Sequence, residues 1–303
     1  DENMTGGVSR ERYGQLLEAR VRRPQSLRTA LAERIRRPIA GPDGRLVILA
    51  ADHTARGILG ASGDPLAVAD RFTLLDRLAT ALALSGVDGV LASADILEEL
   101  AWLGALDGRL AIGTMNRGGI LGARWELDDR LTAYDAAHVE SAGLDGGKVL
   151  LRIEDTDPGV ARTLESVAAV TTDLADRQLM CMIEPLPYLK ADDGRAVLDP
   201  STERLVRVVA IASGLGASSA FTWLKVPAVD DMAAVASATT MPILLLGGDP
   251  GVNRDDTFDR WESALREPNV RGLVAGRALL YPPDGDVPSA VRRASALVHG
   301  GEA

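Results

Sequence analysis

The sequence has little of what covalent or metal-held frameworks require. A single cysteine, Cys181, excludes an internal disulfide framework and any cysteine-rich zinc module. The three histidines, His53, His138 and His299, are scattered, and no two have metal-ligand spacing on one element, so no metal site is expected. Aromatic residues make up 4% of the chain, and Trp102, Trp125 and Trp261 read as packing residues or rim anchors rather than a stacking platform. The longest apolar runs, Leu46–Ala51 and Met241–Leu246, fall far short of the ~18 residues of a membrane span. No charged-then-apolar leader opens the chain, and a cytoplasmic protein with no membrane partner is expected. Basic charge is outnumbered, 33 residues against 43 acidic ones for a formal charge of −10. Nucleic acid is therefore not an expected partner, because the arginine clusters at Arg20–Arg23 and Arg34–Arg37 are short and lie close to glutamates.

The sharpest scarcity is of lysine. Only Lys148, Lys190 and Lys225 occur among the 33 basic residues, and the rest are arginine. Arginine serves as a surface charge but is permanently protonated, whereas a buried lysine can lose its proton and act as an amine nucleophile. Two of the three surviving lysines, Lys148 and Lys225, sit inside apolar, strand-like runs. That placement points to chemistry.

With 46% apolar residues, 31 glycines and 15 prolines, the chain has an ordinary globular composition. Residues 1–45 read as a helical extension, with amphipathic stretches over Arg10–Arg20 and Gln25–Arg36. From Leu46 onward short apolar runs alternate with Ala- and Leu-rich segments of helical period. Strands are expected at Leu46–Ala51, Gly89–Ala92, Leu110–Gly113, Lys148–Ile153, Leu179–Ile183, Ala220–Val226, Ile243–Leu246 and Gly272–Ala275. Helices are expected near Pro65–Leu84, Ala94–Leu103, Asp129–Ala142, Gly159–Asp173, Thr202–Ser213, Asp230–Ala238, Thr257–Arg266 and Pro288–Val298. Eight βα units with near-continuous strand hydrophobicity predict a (β/α)8 TIM barrel over residues 46–303. An open dinucleotide-binding sheet is disfavoured, because Asp52–Gly57 after the first strand lacks the glycine spacing of that turn.

In such a barrel the reactive groups belong at the carboxyl ends of the strands. Asp52 closes the first strand, Glu184 the fifth, Lys225 lies near the end of the sixth, Gly247 and Gly248 follow the seventh, and Gly276 and Arg277 the eighth. Lys148 falls at the opening of its expected strand and fits less well. Desolvation and a second cation, Lys148, would lower the Lys225 proton affinity and free an amine able to attack a ketone; a structural pair with Glu184 is the competing reading. Glu184 suits proton transfer or a structural ion pair, and Asp52 a substrate contact or a turn cap. Glycines in two adjacent loops together with Arg277 suit a phosphate. The acidic run Glu154–Asp157 reads as a solvated loop, and Cys181 as a small buried hydrophobe.

Lys148 in GGKVLLRI, Glu184 in LMCMIEPLPY, Lys225 in FTWLKVPAVDDM and the closing VRGLVAGRALLYP resemble the class I aldolases of the tagatose-bisphosphate and sulfofructose-phosphate type. These are similar in turn to the deoxyribose-phosphate and archaeal-type fructose-bisphosphate aldolases. ILAADHTARG is similar to that family's first-strand motif ending in an aspartate, and the resemblance spans Leu46 to Pro282. It implies a metal-independent, cofactor-free carbon–carbon lyase. Lys225 would be the Schiff-base lysine, Glu184 and Lys148 its proton-transfer partners, Asp52 a substrate or polar-network contact, and Gly248, Gly276 and Arg277 phosphate-site residues. His53–Thr54–Ala55 and the N-terminal extension depart from the family pattern. The resemblance suits 2-deoxy-5-keto-gluconate 6-phosphate as substrate, cleaved to dihydroxyacetone phosphate and malonate semialdehyde in inositol degradation. A tagatose-bisphosphate or sulfofructose-phosphate aldolase, or a non-catalytic sugar-phosphate sensor, are the alternatives, and a homo-oligomer is expected.

Overall fold

The structure is a computed structural model that describes residues 6–248 and 254–301. Eight parallel strands form a ring: β1 (Leu46–Ala51), β2 (Gly89–Ala92), β3 (Leu110–Thr114), β4 (Gly146–Ile153), β5 (Met180–Lys190), β7 (Thr222–Val226), β8 (Ile243–Leu246) and β9 (Val270–Ala275). Between β5 and β7 in the chain, β6 (Ala196–Leu198) folds back antiparallel on the outer end of β5. Each ring strand pairs with its neighbour, β4 with β5 and β9 with β1, so the sheet closes without an edge. This is the expected (β/α)8 barrel.

A preface of α1 (Arg10–Arg22) and α2 (Gln25–Ala32) precedes the ring. Around it lie α3 (Arg71–Leu82), α4 (Ala94–Trp102), α5 (Ala136–Ser141), α6 (Pro158–Asp176), α7 (Thr202–Ser213), α8 (Met232–Ser237), α9 (Arg254–Ala264), α10 (Arg277–Leu280) and α11 (Val287–His299). Their starts are set by short polar side chains that accept from free amides of the first turn: Asp70 from Thr73, Asp157 from Gly159, Ser201 from Arg204 and Asp286 from Ser289. Alternate strand residues point inward or outward. The outward set packs under the helices, and the inward set, including Ile48, Leu91, Ile112, Met182, Leu244 and Val274, fills the ring.

The segment after α2 answers where the N-terminal extension goes. Arg34 donates to Gly143 O and to Asp145, each at 2.5 Å, Arg37 pairs with Asp88 at 2.7 Å, and Ile39 packs on the cluster inside the ring. Asp88 and Asp145 stand just before β2 and β4, so these residues cross the amino end of the barrel and close it. The helix α1 lies on the flank, with Arg20 paired to Glu99 of α4 at 2.7 Å.

Several expected boundaries shift. The strand β4 starts at Gly146, two residues earlier than the sequence suggests. Gly146 and Gly147 belong to the strand, and a Cβ on Gly146 would sit 2.5 Å from Met180 O of the neighbouring strand. The strand β5 runs to Lys190, past the expected stop at Ile183, because β7 pairs only as far as Ile183 and the missing N–H of Pro185 and Pro187 then costs no ladder bond on that side. Of the helix expected over Asp129–Ala142, only α5 forms. Residues 115–135 are a long loop held by side chains: Asn116 Nδ2 donates to Asp129 O and Leu150 O, and Asp129 accepts from Gly119 N.

Candidate active site

The inward parity of the strands continues past the apolar layers into charge at the carboxyl ends. After Ile48 and Ala50 the next inward position is Asp52, after Met180 and Met182 it is Glu184, and after Trp223 it is Lys225. On β4, Gly146 is opposite inward-facing Ile112 and Met180, which makes Lys148 an inward residue in the third position of its strand. The misfit seen in the sequence therefore disappears.

These four side chains form one chain of contacts with a fifth that the sequence reading did not select. Glu184 bridges two lysines, its Oε2 lying 2.5 Å from Lys148 Nζ and its Oε1 3.2 Å from Lys225 Nζ. Lys148 Nζ also meets Asp52 Oδ2 at 3.2 Å, and the same oxygen is 3.3 Å from Arg117 Nη1. Lys148 is 1% exposed and Lys225 4%. Three cations and two carboxylates thus share a space nearly sealed from water, where charge–charge energies are several-fold larger than at a surface.

The environment sets the proton affinities. Burial opposes ionisation of Glu184, but Lys148 and Lys225 outweigh it and hold the carboxyl well below the usual range. Burial likewise opposes ionisation of Asp52, and Arg117, Lys148 and Lys225 overcome it. Burial and the charge on Arg117 push Lys148 down to about 8, against the pull of Asp52 and Glu184. Lys148 is thus held closer to neutral pH than an ordinary lysine, beside the carboxylate it shares with Lys225. Half-buried His53 is driven to about 3 by burial, with Lys225, Arg277 and Arg117 adding to it against Asp52, and is a neutral imidazole.

The expected phosphate loops are only partly brought to this centre. Gly247 and Gly248 follow β8, and Gly248 adopts a left-handed φ of 66°, but residues 249–253 lie outside the described residues. Gly276 has a structural reason to be glycine: a Cβ there would meet Ala50 O and come within 2.7 Å of His53 Cε1. Arg277 donates from Nη1 to Gly60 O at 3.2 Å, in the loop after β1, and its charge is felt at His53.

Sequence reasoning passed over Arg117, Asn116, Arg152 and His53. Arg152 was detectable from strand parity, being two inward steps beyond Lys148; it pairs with Glu126 at 3.1 Å and Asp129 at 3.5 Å, and its guanidinium lies 5.5 Å from the centre of the Tyr188 ring. Asn116 and Arg117 follow β3 directly, but the loop they begin has no periodicity to mark them. The bland readings stand elsewhere. Cys181 is buried with its thiol pushed up to about 12 by desolvation, and the acidic run is spent locally, Asp155 pairing with Arg204 and Arg207 and Asp157 capping α6. No group of three or more His, Cys, Asp or Glu side chains is arranged to hold a metal among the described residues, nor is any described helix long and apolar enough to cross a membrane.

Comparison with other proteins places this architecture. Among curated proteins there is no match. The crystal structure of Cgl0159 from Corynebacterium glutamicum (Brevibacterium flavum) superimposes with a TM-score of 0.93 at 46% identity, covering 96% of this chain and 98% of that one. At lower identity the fold is shared with an archaeal fructose-1,6-bisphosphate aldolase whose catalytic lysine is covalently bound to the carbinolamine intermediate of its substrate (TM-score 0.63, 19% identity, 90% of this chain and all of that one). It is shared too with a fructose-bisphosphate aldolase from Slackia heliotrinireducens (TM-score 0.63, 15% identity, 98% and 93%). Residues 44–295, nearly the whole barrel, match the Cgl0159-like family model, and with the 46% identity to Cgl0159 itself they show that this chain belongs to the Cgl0159-like family.

Proposed function

We propose that this protein is a class I aldolase that cleaves a phosphorylated keto sugar or keto acid through a Schiff base on Lys225. The observation that carries the reading is the single carboxylate of Glu184 spanning two buried lysines, 3.2 Å from Lys225 and 2.5 Å from Lys148. A nucleophilic amine needs a neighbour that can take and return protons without itself leaving the charged state for long, and this arrangement supplies one. The fold shared with aldolases, one of which holds its intermediate on a lysine, supports the same chemistry.

In the mechanism, the free amine of Lys225 adds to the ketone carbon and water leaves, giving a cationic iminium. Glu184, relayed by Lys148, removes the proton of the hydroxyl on the departing fragment. As that carbon becomes an aldehyde, the carbon–carbon bond breaks and its electron pair passes to the iminium, forming an enamine. The proton returns to the enamine carbon, and water hydrolyses the resulting iminium to release the second product and regenerate the amine. Asp52 holds Lys148 in place, and the amides after β8 and β9 with Arg277 would receive the phosphate. No step requires a metal.

Dihydroxyacetone phosphate is the released ketone in this reading, and the resemblance puts forward 2-deoxy-5-keto-gluconate 6-phosphate as substrate, with tagatose bisphosphate and sulfofructose phosphate as the alternatives. The test is to incubate the protein with each of these and with fructose 1,6-bisphosphate, measuring triose phosphate by coupled reduction. Release by the wild type, undiminished by chelator and abolished in Lys225→Arg, is expected. Release that persists in Lys225→Arg, or binding of all four without release, contradicts the proposal.

A further inference from the structure

Arg117 stands outside the motifs that mark the other members of the centre, and the β3 loop delivers it there as a fixed charge. Its backbone amide donates to Thr132 Oγ1 at 2.9 Å, and its Nε donates to Asn116 O at 3.1 Å. Asn116 is clamped to β4 in turn, accepting from Leu150 N and donating to Leu150 O, both at 2.7 Å. The guanidinium, on a residue 6% exposed, then meets Asp52 Oδ2 at 3.3 Å. Lys148 Nζ reaches the same oxygen at 3.2 Å. Two cations therefore press on one carboxylate oxygen in a space nearly sealed from water, where their repulsion is poorly screened.

Lys148 and Lys225 with Asp52 and Glu184 make two cations and two carboxylates, a balanced set in which both amines keep their protons. Arg117 adds a third cation. Guanidinium groups do not release a proton in proteins, so relief falls on an amine, and Lys148 is the amine that shares the oxygen. The other elements around Lys148 bring nothing that cancels the excess. On β2 and β3 the inward groups are Leu91 and Thr114, the latter directly opposite Lys148, and His53 after β1 is neutral. Arg152, the next inward charge on β4, is taken with Arg56 by Glu126 and Asp129, a balanced set of its own.

We propose that Arg117 is a positioning residue that provides the centre with its neutral amine: acting through Asp52 and its own excess charge, it makes Lys148 the acceptor for the proton that Lys225 loses through Glu184. Glu184 takes that proton from Lys225 on Oε1, and rotation of the carboxyl about Cγ–Cδ delivers it to neutral Lys148. Glu184 ends as the carboxylate it began as, and Lys225 is left as the free amine. The use of that amine for a Schiff base rests on the aldolase reading; its presence does not, which makes the two separable. Burial and Arg117 together put Lys148 at about 8, in keeping with this role.

The scarcity of lysine makes the test direct. In protein labelled with carbon-13 at lysine Cε, the three lysine resonances are followed against pH by NMR, with Lys190, outside the centre, as the control. The Lys148 midpoint should rise by about one pH unit or more in Arg117→Met while the Lys190 resonance behaves as in the wild type. The rising limb of kcat/KM against pH should move up with it. Arg117→Met combined with Asp52→Asn removes one cation and one carboxylate, restores the excess, and should return the midpoint to within about half a unit of the wild type, which loss of packing does not do. Arg117→Gln carries the same predictions if the methionine variant does not fold. A Lys148 midpoint unmoved by loss of Arg117, a double variant that stays displaced, or a rising limb that does not follow Lys148 would overturn the proposal. Lysine titrations that behave as predicted beside a failed borohydride trap on Lys225 would remove the aldolase reading alone.

Discussion

At the scale of single residues, the proposed chemistry rests on two lysines and one carboxylate. Glu184 is charged because it lies between Lys148 and Lys225, and Lys148 sits near 8 because burial and Arg117 work against its two carboxylates. Glu184→Gln removes the shared charge while keeping the shape. Its kcat should fall by about 100-fold or more, with the low-pH limb of the rate profile altered, and the variant should unfold at lower temperature because two buried ammonium groups lose a partner. Steady-state kinetics across pH, with thermal unfolding alongside, check both; unchanged kcat would remove Glu184 from proton transfer. Of this centre the sequence made four residues legible: Asp52, Glu184 and Lys225, where an apolar strand run ends in charge, and Lys148, through the scarcity of lysine in an apolar run. Arg117 and His53 were not, since a loop residue shows its role only when the closed ring brings it beside a residue distant in the chain, as it brings Arg117 to Asp52 and His53 to Gly276.

The elements were legible wherever hydrophobic period alone decides them, as in β1, β2, α4 and α7, whose bounds fall on or within a residue of expectation. The misses share one cause, tertiary packing overriding a local signal: two glycines before the expected start open β4, β5 runs through two prolines beyond its expected end, and helical composition over Asp129–Tyr134 yields to a side-chain-held loop. The last helix shows a long-range tie that no local pattern announces. His299, at the end of α11, bonds Asp43 at 2.6 Å and both Gly86 O and Asp88 at 3.1 Å, joining the C-terminal helix to the amino end of the barrel. The hydrogen bond to Asp88, and after burial's opposition that to Asp43, raise His299 to about 9. With the folded value above the unfolded one of about 6.5, the contribution is full below that pH and fades as pH rises through about 9. His299→Ala should therefore lower the unfolding temperature by about 3 °C at pH 6 and leave it unchanged at pH 10. Calorimetry at the two pH values tests this, and an equal loss at both would assign His299 to packing alone.

As a whole molecule the protein is acidic, with a formal charge of −10, yet its barrel mouth gathers cations. Such an inversion repels anions at long range and rewards them at close quarters, which favours selection by fit over capture by field. The closed ring, sealed at its amino end by the segment after α2, leaves the carboxyl end as the place where side chains from six or more strands meet without a core to fill, as barrel enzymes use it. The catalysis proposed for this mouth depends on one nitrogen bonding to carbon. Reduction with sodium borohydride in the presence of dihydroxyacetone phosphate, followed by peptide mass mapping, tests that most directly. The account predicts one stable adduct per chain, on Lys225, and none in Lys225→Arg; an adduct on Lys148 instead, or no adduct on the wild type, would contradict it.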